Sequence, residues 1–86
     1  MTVRNALKLL GRYGQVQKSD CGEFSLTING MVISFFGNGG SEPDNNICCI
    51  NARRMNDHDR PEEDHFAGSY YRNLTQAIKW NITGAR

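Results

Sequence analysis

Five carboxylates and two imidazoles fall within ten residues of this chain, in Asn56-Asp57-His58-Asp59-Arg60-Pro61-Glu62-Glu63-Asp64-His65. Carboxylate oxygens suit magnesium or calcium and imidazole nitrogen suits zinc, so Asp57, His58, Asp59 and His65 are the residues that would hold a metal. His58 and His65 also titrate near neutral pH, as a general base must. Neither chemistry has spacing behind it. The run lacks the alternating ligands and central glycine of a calcium loop, and no nucleophile stands at a recognisable distance from either histidine. A solvated acidic loop accounts for the same residues, so we expect no metal, no cofactor and no catalytic set.

Other groups have similar ambiguity. Cys48 and Cys49 could supply a thiolate activated by Arg53 or Arg54, but a cysteine on a strand behaves more often as a small core residue. With Cys21 the count is three, which does not make a secreted disulfide framework. Gly37-Asn38-Gly39-Gly40 has the composition of a phosphate-binding loop, yet it leads through Pro43 to a strand rather than into a helix N-terminus. Arg53, Arg54, Arg72 and Lys79, with Tyr70, Tyr71 and Trp80, are the residues of a basic aromatic surface for nucleic acid. The net charge of +1 provides no global attraction to phosphate. Its distribution is uneven: residues 1–19 carry +4, residues 55–65 carry −4, and residues 66–86 carry +3.

The elements that position these groups start from the run 24–36. Alternating apolar and polar residues flank Asn29-Gly30, the dipeptide best suited to the two positive φ angles of a type I′ turn. That turn places Ile28 opposite Met31, Leu26 opposite Ile33 and Phe24 opposite Phe35, all on one face. Ser25, Thr27, Val32 and Ser34 take the other face, with Phe36 opposite Glu23. Ile47-Cys48-Cys49-Ile50-Asn51-Ala52-Arg53 reads as a third strand, with Cys48, Ile50 and Ala52 inward and Cys49, Asn51 and Arg53 outward. Adjacent cysteines on such a strand point to opposite faces. About ten polar and turn-forming residues join strands two and three, enough for an antiparallel return.

Helices close the chain at both ends. Thr2 is an N-cap for Val3, Ala6, Leu7, Leu10 and Tyr13 at helical spacing, giving a helix over 3–13 with Gly14 at a left-handed C′ position. Ser69 is an N-cap for a helix over 69–81 carrying Tyr70, Leu74, Ala77 and Ile78 on one stripe. The order is α-β-β-β-α in one domain of 86 residues. We therefore expect an α+β two-layer sandwich, its three-stranded antiparallel sheet (22–28, 31–36, 47–53) covered on one face by both helices.

That order resembles the topology of the double-stranded RNA-binding domain. The run of lysines that begins the second helix of those domains has Ser69-Tyr70-Tyr71-Arg72 in its place here. A second resemblance rests on Asn51-Ala52-Arg53-Arg54-Met55-Asn56-Asp57-His58-Asp59 and Asp64-His65-Phe66-Ala67-Gly68-Ser69-Tyr70-Tyr71-Arg72-Asn73-Leu74. There an arginine-ended strand runs into an Asp-rich loop and then into a helix, which looks like segments of small accessory proteins of phages and mobile elements. It implies a compact protein that occupies a macromolecule inside a bacterial cell.

No apolar run reaches membrane-spanning length and no signal-peptide pattern is present, so a cytoplasmic location without a membrane partner is expected. The expected function is a non-enzymatic interaction module, phage-encoded, that binds a bacterial host protein or nucleoprotein complex. Its contact residues would be Phe36, Asn51, Arg53 and Arg54 on the sheet, with Asp57, Asp59, Glu62 and Glu63 in the acidic loop. The loop 37–46 is a further contact surface. A nucleic acid held by Arg53, Arg54, Arg72 and Lys79, a metal-dependent enzyme built on the acidic loop, and pairing with a second copy are the alternatives.

Overall fold

The computed structural model describes residues 1–54 and 69–83. It is an α+β chain in the order α1 (Val3–Leu10), β1 (Gln17–Lys18), β2 (Phe24–Ile28), β3 (Met31–Gly37), β4 (Ile47–Arg54), β5 (Ser69–Tyr70) and α2 (Leu74–Ile78), followed by a π-helical turn, Lys79–Thr83. The five strands form one antiparallel sheet in sequence order. The expected three-stranded sheet is thus extended by a two-residue strand at each edge. Pieces this short carry no periodicity, and they form because the edges of β2 and β4 offer unpaired backbone groups.

The hairpin has the register its residues dictate. Asn29 and Gly30 both take positive φ, 53° and 77°, and Phe24, Leu26 and Ile28 pair with Phe35, Ile33 and Met31. The Phe24 and Phe35 rings stack with centroids 5.3 Å apart.

α1 starts where Thr2 in extended conformation accepts a bond from the Asn5 amide, and it buries Val3, Ala6 and Leu10. It ends three residues before the expected Tyr13. Gly11 is a poor helix interior residue, and beyond it the Arg12 and Tyr13 amides bond back three residues, to Leu9 and Leu10, in a tightened turn. Gly14 is not left-handed. Its role is close approach: a Cβ there would lie 2.8 Å from Leu26 Cδ1.

The start of α1 also secures the loop 38–46. Thr2 bridges Asn46, the Val3 amide donates to the Asn45 carbonyl (2.8 Å), and the Ile47 amide donates to the Met1 carbonyl (2.9 Å). Arg4 and Asp44 add an exposed ion pair at 2.8 Å.

β4 departs from simple alternation. Asn51 pairs with Ser34 and Cys48 with Phe36, so Cys49 and Ile50 together oppose Phe35 in a β-bulge. Cys49 takes a positive φ, 54°, the left-handed side on which the first residue of a G1 bulge, usually a glycine, lies. The inserted residue reverses the parity of the strand's first part. Cys48, expected inward, therefore shares the outer face with Phe36, while Ile47 packs against the core.

The expected helix 69–81 is shorter. Ser69 and Tyr70 pair with Ala52 and Asn51, so Ser69 is no cap. Asn73 takes over, its Oδ1 accepting the Gln76 amide at 2.7 Å. Strand alternation sends Tyr70 outward, while Tyr71 packs against the core. Asn81 Nδ2 then donates to the Tyr71 hydroxyl (3.0 Å) and the Ala77 carbonyl (2.8 Å), tying the π turn to both. Val3, Ala6 and Leu10 of α1 and Leu74, Ala77 and Ile78 of α2 join Phe24, Leu26, Ile33, Phe35, Ile50 and Ala52 in one buried cluster.

Candidate functional site

The face of the sheet opposite that cluster holds the candidate site. Strand pairing sets one row of side chains across all five strands: Gln17, Ser25, Ser34, Asn51 and Tyr70. A second row is Thr27, Val32 and Arg53, and Phe36 and Cys48 form a third toward the other end. Both helices put their buried residues into the cluster on the opposite face.

Charge on this face is internally matched. Arg53 folds back along β4, its Nη1 donating to Asn51 Oδ1 (3.2 Å) and to Ser34 Oγ (3.4 Å). The same nitrogen lies 3.6 Å from Glu23 Oε2. Ser34 is 1% exposed and Asn51 6%, so this polar centre is screened from solvent by its own members and their neighbours. A buried hydroxyl and amide need such partners, because an unsatisfied polar group costs about 1–3 kcal/mol. Around the centre, Val32 and Phe36 are half-buried and Tyr70 is 68% exposed. The result is a neutral polar plug with apolar and aromatic groups beside it.

No protein-family model, curated protein or solved structure matches this chain.

The structure brings some expected site residues together and separates others. Phe36, Asn51 and Arg53 share the face of the sheet opposite the buried cluster, as alternation requires. Arg54 pairs with Met31, whose parity belongs to the core face, and is exposed at the end of β4. Arg72 is exposed ahead of α2, and Lys79 is exposed at its C-cap. The four cations proposed for nucleic acid are thus divided between faces, and Arg53 is already engaged by Glu23. The aromatics are divided too: Tyr70 and Trp80 are exposed and Tyr71 packs against the core.

Asp57, His58, Asp59, Glu62, Glu63 and His65 lie outside the described residues. Among the described residues, no three or more His, Cys, Asp or Glu side chains group as metal ligands. Burial pushes the Cys48 thiol above its ordinary pKa, and the adjacent Cys49 thiol adds to the shift. Cys48 is therefore a neutral thiol at pH 7, the opposite of an activated nucleophile. The loop 37–46, expected as a contact surface, is engaged along one side by the chain's first residues.

Tyr70 is the site residue that sequence reasoning misplaced. Its signal was weak, since Ser69-Tyr70-Tyr71 reads equally well as a capped helix start. No local signal separates the two readings, because the strand forms only by pairing with the open edge of β4.

Proposed function

We propose that this chain is a small non-enzymatic interaction module that docks on a protein or nucleoprotein complex of a bacterial host, as a phage-borne accessory protein would. The docking surface is the helix-free face of a two-layer sandwich whose other face is covered by both helices. One observation carries this reading. Tyr70 is 68% exposed beside a polar centre whose charges are already paired. An exposed tyrosine beside a charge-paired polar centre suits a protein partner, because tyrosine anchors interfaces at small entropic cost. The raised Cys48 thiol speaks against a thiolate nucleophile on this face.

The test compares the immobilised wild-type chain with Tyr70→Ala and Val32→Lys in nuclease-treated bacterial lysate. The reading expects a stoichiometric protein captured by the wild type and lost with both folded variants. A partner retained by both variants, or none under several growth conditions, overturns it. Capture that disappears on nuclease treatment transfers support to the nucleic-acid alternative.

A further inference from the structure

The outer side of α1 carries charge of one sign. Arg4, Lys8 and Arg12 recur every four residues, and no acid stands among residues 1–19. Val3, Ala6 and Leu10 turn into the core, so the three cations lie on the opposite side of the helix, where all are exposed. Gly11 keeps a helical backbone, φ −63° and ψ −15°, so Arg12 continues the stripe beyond Leu10. We propose that this stripe docks on one strand of duplex DNA through its phosphates, without reading bases. The surface is separate from the sheet face opposite the buried cluster, and the inference does not depend on docking there.

Charge and spacing select the occupant. A rise of 1.5 Å per residue sets successive cations about 6 Å apart along the axis, close to the separation of neighbouring phosphates on one strand. An amphipathic helix enters a membrane by its apolar side, and that of α1 is committed to the core. A single strand is held by stacking its bases on aromatic rings, whereas Tyr13, the aromatic residue next to the stripe, packs against the core. A duplex keeps its bases stacked inside and presents phosphate outside, which suits a face of cations. Arg4 is shared with Asp44 in an exposed ion pair at 2.8 Å, so one acid competes with phosphate at that end of the stripe.

The test follows the fluorescence anisotropy of a labelled DNA duplex of about 20 base pairs as the full chain is added at increasing salt. Three phosphate contacts give a slope of log K on log salt of about −2.7, a loss of about sixfold in affinity on doubling the salt. Lys8→Gln/Arg12→Gln, which keeps good helix formers, flattens the slope to about −1 and weakens binding at low salt by at least about tenfold. Arg72→Gln/Lys79→Gln makes the same change in net charge away from the stripe and leaves affinity within about twofold. Asp44→Asn releases Arg4 and strengthens binding about two- to fivefold, a gain that requires no basic residue to be altered. Circular dichroism verifies the fold of each variant. No binding to the duplex at low salt, an equal loss with the Arg72 and Lys79 pair, unchanged binding by the Lys8 and Arg12 pair, or tighter binding to a single strand or to phosphatidylserine vesicles overturns the proposal.

Discussion

Replacing Arg53 by methionine tests whether its guanidinium belongs to the fold or is free for a ligand. The change keeps most of the aliphatic stem and removes the donor to Asn51 Oδ1 at 3.2 Å, the longer bond to Ser34 Oγ at 3.4 Å and the ion pair with Glu23 at 3.6 Å. A hydrogen bond from a charged donor contributes about 1.5–3 kcal/mol. The ion pair adds less than about 1 kcal/mol, since both side chains remain about a quarter exposed. Asn51 has further interactions, which limits the cost on that side. Relief of guanidinium desolvation and side-chain ordering offsets part of the loss. The net expectation is a destabilisation of about 2 kcal/mol, or a midpoint about 8–16 °C lower for a chain of this size. Urea unfolding followed by circular dichroism, with an unchanged m-value, measures it. Glu23→Gln should cost less than half as much. If Arg53→Met unfolds within about 0.5 kcal/mol of the wild type, the network contributes nothing and Arg53 is available to phosphate after all.

Three further outcomes follow from the packing. Phe35→Ala removes a ring with no solvent exposure that stacks on Phe24, a loss of about 3–5 kcal/mol, so the variant should be largely unfolded at 37 °C by circular dichroism. Gly37→Ala would set a Cβ 2.0 Å from the Gly40 carbonyl oxygen and should disrupt the loop that meets α1. Gly30→Ala has open space and should cost only about 1 kcal/mol for its positive φ, so urea midpoints should separate the two widely. Finally, the Cys48 thiol is raised in the folded state, so the unfolded chain releases its proton first as pH rises. The folded state then holds more protons, and this contribution to stability is lost above roughly pH 8.5, the ordinary thiol range. Unfolding curves across pH 7–10 should show the decline, and Cys48→Ser should flatten it.

What could be read along the chain is what nearest neighbours decide. Asn29-Gly30 and the alternation around it specified the β2–β3 register before any tertiary contact was known. The outward placement of Asn51 and Arg53 followed from the same period of two. The short edge strands escaped notice, because two residues hold no period. Ser69-Tyr70 reads locally as a capped helix start, and only the open edge of β4, which pairs with it, makes it a strand.

By itself the sequence determined an α+β chain, a hairpin of defined register and amphipathic segments at both ends, since turn chemistry, capping and side-chain period are local properties. Only the tertiary structure decided which side chains meet. The extra residue at Cys49 is invisible until β3 supplies a register against which to count it, and that one residue moves Cys48 to the outer face beside Phe36. Arg53 likewise reads as a free cation until Glu23, thirty positions earlier, comes within 3.6 Å through the intervening strand. Contacts of that kind depend on how strands are brought together, which no short window of sequence contains.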